Sequence, residues 1–102
     1  MLAEIMPLQR LQDDITEWAD KTFGRSRYPQ VVLRHMLREV EETIKAPLLE
    51  EFADIGILWL NAAVLAGYSV ENLIQGMVLK TQANKNRQWG KPDEYGVVEH
   101  LR

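Results

Sequence analysis

The chain has 102 residues, 46% of them hydrophobic and 26% charged, with 12 Lys+Arg against 15 Asp+Glu for a net charge of −3. That length suits one domain spanning residues 1–102, and the acidic balance argues against a dedicated nucleic-acid binder, which carries a basic excess. The lack of cysteine excludes disulfides, cysteine-ligated zinc, iron–sulfur clusters and thiol nucleophiles, so any metal must sit on carboxylates or on the two histidines.

The first residues, Met1 to Arg10, contain Glu4 and Pro7 and lack the basic start and apolar run of an export signal. Leu8, Leu11, Ile15 and Trp18 recur at three- and four-residue steps, which predicts an amphipathic helix from Pro7 to about Phe23. Pro29 suits the first turn of a second helix, running to about Lys45, because its missing N–H would be unpaired there anyway. Pro47 restarts the chain as a third helix that stops near Gly67, and Ser69 is placed to cap a fourth that continues to about Trp89. Residues 90–102 hold Gly90, Pro92 and Gly96 and read as a tail. No segment alternates with period two. The expected fold is therefore all-α, a bundle of about four helices. The longest uncharged stretch, Ile55 to Val70, is interrupted by Gly56, Asn61 and Gly67 and falls short of the roughly 20 apolar residues a membrane span needs. The expectation is a soluble, cytoplasmic protein without a membrane partner.

Charge is distributed in blocks. From Lys21 to Arg38 there are five basic residues and no acidic ones, and from Glu39 to Asp54 six acidic residues and only Lys45. On the second helix Leu33, Met36, Leu37, Val40 and Ile44 form one stripe, read as the core. Arg34, Arg38, Glu41 and Lys45 share a solvent arc, and His35, Glu39 and Glu42 occupy an arc between the two. The third helix is apolar nearly all round, the mark of a buried helix, yet Glu50, Glu51, Asp54 and Asn61 fall within one arc of it. A carboxylate on a mostly buried helix is costly unless it is paired or binds a metal. Glu39 and Glu42 on one helix, with Glu51 and Asp54 on the next, make a cage of hard oxygen ligands suited to Mg²⁺ or Mn²⁺. On the fourth helix Lys80, Asn84 and Arg87 share a face, two cations and an amide of the kind a polyphosphate requires.

These residues carry a resemblance. Arg38-Glu39-Val40-Glu41-Glu42 followed by Glu50-Glu51-Phe52-Ala53-Asp54 is similar to the EExxE…ExxD signature of MazG-like nucleoside triphosphate pyrophosphohydrolases, and Lys80-xxx-Asn84-xx-Arg87 resembles that superfamily's phosphate-binding segment. The stretches TFGRSRYPQVVLRHMLREVEE, EEFADIGILWLNAA and NKNRQWGKPDEYGVVEHL resemble one branch, the short dATP/dGTP diphosphohydrolases that include phage MazZ-like enzymes. The resemblance covers about Trp18 to Leu101. It implies an oligomeric all-α fold, Mg²⁺ or Mn²⁺ held by Glu39, Glu42, Glu51 and Asp54, and cleavage of a purine nucleoside triphosphate (dGTP, GTP or dATP) to the monophosphate and pyrophosphate. Two departures stand out: Arg38 occupies the position where the motif opens with glutamate, and the spacer between the acidic motifs is short.

The mechanism expected from these residues has Glu39 or Glu42 accepting the proton of the attacking water. Lys80, Asn84 and Arg87 bind phosphate. His35, Asn61 and Trp89 are candidates for nucleotide contact; Trp18, Phe23, Trp59 and Trp89 are the aromatics available to stack on a base, of which Trp18 is assigned to the core and Trp59 to the core or a subunit interface. The apolar third helix leaves more surface than three neighbours cover, so a homodimer or homotetramer is expected. The competing reading is a non-catalytic helical dimerisation or regulatory module, which explains the apolar helix but not Asp54 and Asn61 upon it.

Overall fold

Pro7 opens the first helix with its own carbonyl accepting from Leu11 N at 3.1 Å. The structure, a computed structural model, describes residues 6–101, so the reading of the extreme N-terminus, including Glu4, lies outside the described residues. Four helices follow: α1 (Leu8–Phe23), α2 (Pro29–Lys45), α3 (Leu49–Leu65) and α4 (Val70–Lys85). Among the described residues there is no strand beyond one isolated bridge, and the all-α expectation holds. No single described helix is long and apolar enough to cross a membrane.

Each boundary has a local cause. Gly24 ends α1 with φ 90°, a value that disfavours any side chain. Pro29 occupies the first turn of α2 as expected. Ala46 is extended, φ −147° and ψ 91°, because the ring of Pro47 clashes with a helical residue before it. The third helix therefore begins at Leu49, two residues later than the proline. At its far end Tyr68 N donates to Ala63 O at 2.8 Å and Gly67 N to Val64 O at 2.9 Å, with Gly67 at φ 93°. This is a Schellman stop, in which a left-handed glycine satisfies the last carbonyls.

The described residues fall into two compact units, one ending at Glu71 and the other beginning at Asn72. In the first, α3 packs against both α2 and α1. Its core consists of Ile15, Ala19, Val32, Leu60, Ala62, Ala63 and Val70, with Gln12, Thr43 and Asn61 buried among them. Two expected stripes are displaced from this core. On α2 the inward face is Val32 and Thr43, with Met36, Glu39 and Val40 half-buried, while Leu37 is 61% and Ile44 77% exposed. On α3 only Leu60 to Ala63 are buried, and Leu49 and Phe52 are exposed. Trp18 is not a core residue either; it is 55% exposed.

In the second unit the helix stops at Lys85 rather than near Trp89. Asn86 and Arg87 tighten the last turn with bonds to the carbonyls of Ala83 and Asn84, both 3.2 Å, and the Trp89 indole donates to the Asn84 carbonyl at 2.9 Å. Orphan carbonyls at the helix end are thus met by later residues instead of another turn. The segment expected as a tail folds back on itself. Gly90 N donates to Glu99 O at 2.8 Å and Leu101 N to Gln88 O at 2.7 Å, around an antiparallel bridge of Trp89 with His100. Asp93 closes the turn between them, its carboxylate accepting from Tyr95 N and Val97 N, both at 2.9 Å.

Candidate active site

The short α2–α3 connection sets two acidic helix faces side by side. Glu39 of α2 and Glu51 and Asp54 of α3 each bring one carboxylate oxygen into a group whose members all lie within 4.8 Å of one another. Glu39 and Glu51 are half-buried and Asp54 is exposed. Three carboxylate oxygens at this spacing are a fitting donor set for Mg²⁺ or Mn²⁺ and a poor one for zinc. Glu42 adds no oxygen to the group, but its charge reaches it. Partial burial, and then the negative fields of Glu42, Asp54, Glu39 and Glu50, hold the Glu51 carboxyl above its ordinary range. His35, one turn before Glu39, places Nε2 at 3.3 Å from Glu39 Oε1.

Beside these acids is a cavity of about 460 Å³, lined by Asp14, Ile15, Trp18, Ala19, Phe23, His35, Glu39, Asp54, Ile57, Leu58 and Asn61. Glu39 and Asp54 belong to both cavity and acidic group. Its aromatic wall is Trp18 edge-on to Phe23, ring centroids 5.5 Å apart. Asn61 is 4% exposed. Its Oδ1 accepts from Arg27 at 2.9 Å, while its amide nitrogen is buried with no hydrogen-bond partner among the described residues. Such an orphan costs about 1–3 kcal/mol.

The structure thus brings His35, Glu39, Asp54 and Asn61 to one cavity and Glu51 to its acidic edge. Lys80, Asn84, Arg87 and Trp89 lie in the second unit, where Arg87 donates to Asn84 Oδ1 at 3.2 Å and Trp89 meets the His100 ring edge-on at 6.0 Å. Trp59 is half-buried on α3. Three further cavity residues were not singled out by the sequence, although Trp18 and Phe23 are among its candidate stacking aromatics. Trp18 continues an apolar stripe, Phe23 ends the same helix, and Asp14 is one of several acids on an amphipathic helix. A larger cavity of about 790 Å³ on another face of α1 holds none of the expected site residues. Its Glu17 and Asp20 are ion-paired with Lys21 and Arg27.

Comparison with known proteins decides the family. A family model described as dATP/dGTP pyrophosphohydrolase matches residues 11–102. The chain belongs to the dATP/dGTP pyrophosphohydrolase family. Among its relatives is a dATP/dGTP diphosphohydrolase of Salmonella phage PMBT28, 31% identical over 93 residues, which span 89% of this chain but 30% of that protein. The chain therefore spans less than a third of the length of this curated relative. Among solved structures, the MazG-like pyrophosphohydrolase of cyanophage S-2L, bound to dGDP and three catalytic Mn²⁺ ions per active site, superposes with a TM-score of 0.74. It is 27% identical, and the match covers 95% of each chain. This member of the dATP/dGTP pyrophosphohydrolase family thus shares its helical fold with a MazG-like protein, as expected.

Proposed function

We propose that the protein is a metal-dependent nucleoside triphosphate pyrophosphohydrolase that cleaves a purine nucleoside triphosphate, dGTP (or GTP) or dATP, to the monophosphate and pyrophosphate. The observation that carries this reading is that Glu39 and Asp54 belong both to a three-carboxylate group and to an aromatic-walled cavity. Phosphate and base then have adjoining places. Family membership and the dGDP and Mn²⁺ of the cyanophage neighbour support it.

Glu39, Glu51 and Asp54 would hold Mg²⁺ or Mn²⁺, which would supply Lewis acidity to the phosphates and to the attacking water. Glu42, outside the group of three, keeps both carboxylate oxygens for the proton that the water loses, and Glu39 is the other acceptor in reach of that role. The His35 imidazole beside Glu39 Oε1 restrains that carboxylate. Trp18 and Phe23 offer ring faces and edges to a base. For Lys80, Asn84 and Arg87 the proposed role is phosphate binding, and for Trp89 nucleotide contact. The reaction draws on the nucleotide pool of the cytoplasm, that of the host if the protein is phage-borne.

A melting scan tests the ligand assignment. Mn²⁺ with a non-hydrolysable dGTP analogue at 100 times its dissociation constant should add about 2.7 kcal/mol to stability. No shift with metal and nucleotide together would favour the helical-module reading.

The exposed Leu33, Leu37 and Ile44 of α2 and the exposed Leu49 and Phe52 of α3 form more apolar surface than a lone chain leaves in water. We therefore propose a homodimer or homotetramer. Light scattering at micromolar concentration should give a multiple of 11.8 kDa, and a monomer mass would overturn the assignment.

A further inference from the structure

The Asn61 amide has one end tied and one end free. Its Oδ1 lies 2.9 Å from an Arg27 nitrogen. A guanidinium has only donors, so the amide atom facing it must be oxygen. The NH₂ group is then left as a buried donor without a partner among the described residues, on a side chain that lines the cavity holding Glu39 and Asp54. Arg27 is itself held in place. Its Nε donates to Gly24 O at 2.9 Å, its other nitrogen meets Asp20 Oδ1 at 3.4 Å, and its side chain is only 15% exposed. The same guanidinium sits 5.7 Å from the Phe23 ring centroid, over one wall of the cavity.

We propose that Arg27 is a positioning residue for base selection: it fixes the Asn61 amide as a donor, and that polarity favours purines with a 6-oxo acceptor over purines with a 6-amino group. The proposal deepens the nucleotide-hydrolysis reading and rests on it for the identity of the cavity's occupant. Guanine presents O6 and N7, both acceptors, whereas adenine presents N7 and the N6 donor. A lone NH₂ donor is satisfied by a 6-oxo group, and a 6-amino group at the same place sets donor against donor. Paired recognition of adenine by asparagine uses the amide oxygen to accept from N6, and here Arg27 occupies that oxygen.

The test measures kcat and KM for dGTP, dITP and dATP with Mn²⁺, and calorimetric binding of dGMP and dAMP, in the wild type and in Asn61→Asp, Arg27→Ala and Arg27→Lys. dITP keeps the 6-oxo group without the 2-amino group, so it isolates this contact. The wild type should favour dGTP and dITP over dATP by about 10- to 100-fold in kcat/KM, the discrimination one well-made base contact provides. Asn61→Asp keeps an oxygen for Arg27 and replaces the donor by an acceptor, so the preference should collapse or invert. Arg27→Ala releases the amide to rotate, so KM for dGTP should rise while that for dATP falls, and Arg27→Lys should restore the wild-type order. A structural role alone would raise both KM values together. An unchanged dGTP:dATP ratio in folded Asn61→Asp or in Arg27→Ala would overturn the proposal, and if Asn61→Asp fails to fold, the Arg27 pair decides. If no triphosphate is hydrolysed yet dGMP binds more tightly than dAMP and the variants erase that difference, the base contact stands and the hydrolase reading fails. Equal binding of dGMP and dAMP by the wild type would refute the contact itself.

Discussion

Asp54→Asn is expected to remove most turnover while leaving the metal-free fold intact or slightly more stable. The substitution keeps shape and volume but takes one of three carboxylates from the group that includes Glu39 and Glu51. Metal ions contribute several kcal/mol of charge stabilisation to such reactions, and each 1.36 kcal/mol is tenfold in rate, so a loss of about 100-fold or more is expected. Stability should move the other way, because the Asp54 charge is one of the fields that push the Glu51 carboxyl up. A carboxyl whose folded pKa is raised costs stability above that pKa, and the cost vanishes as pH falls through it. The gain in melting temperature from Asp54→Asn should therefore be largest at neutral pH and close as pH drops below the ordinary carboxylate range. Among the described residues Asp54 has no ion-pair partner, so the several-kcal/mol loss that follows breaking a buried pair is not expected. A destabilised but still active variant would refute the metal-ligand role.

Gln12→Ala should produce the largest loss of stability from a single side chain. Gln12 is 0% exposed. Its Nε2 lies 3.2 Å from both Leu60 O and Tyr68 O, and its Oε1 accepts from Gln9 at 2.9 Å. Gln9 in turn receives the Val70 N–H at 2.9 Å. One amide thus ties α1 to the end of α3 and, through Gln9, supports the start of α4. Its removal takes away the amide donor shared by Leu60 O and Tyr68 O and leaves a cavity, at a cost of about 2–4 kcal/mol. A drop in Tm on the order of 10–20 °C follows for a chain of this size. A Tm within a few degrees of the wild type would show that water or neighbouring groups replace these bonds.

Gln12 also shows where the sequence stops being legible. Helix boundaries were readable because prolines and glycines act locally: Pro29 opens α2 and Gly67 stops α3 through backbone geometry that no distant residue alters. Which side of a helix is covered is a different matter. The Leu33–Leu37–Ile44 stripe is the apolar face of α2, yet α3 covers the neighbouring Val32–Thr43 face. Periodicity identifies an apolar stripe without saying whether this chain or another copy buries it. Gln12 hides for a related reason: a polar residue on an inner face reads as a break in the pattern until its partners are seen. Trp18, one step along the same stripe, reads as core but stands at the rim of the cavity.

The acidic group was legible because its carboxylates sit at helical spacing. The i, i+3 pairs selected Glu39, Glu51 and Asp54, which come together in space, along with Glu42, which influences Glu51 through its charge alone. Arg27 was not legible. It lies in the connection between α1 and α2, and its importance arises only from meeting Asn61 of α3.

Metal-dependent release of pyrophosphate is measured by analysing the products of dGTP incubated with the purified protein, first stripped of metal and then supplied with Mn²⁺ or Mg²⁺. No turnover is expected without metal and, with it, dGMP and pyrophosphate in equal amounts. Formation of dGDP with orthophosphate, or turnover that is indifferent to the metal, would contradict the proposed function.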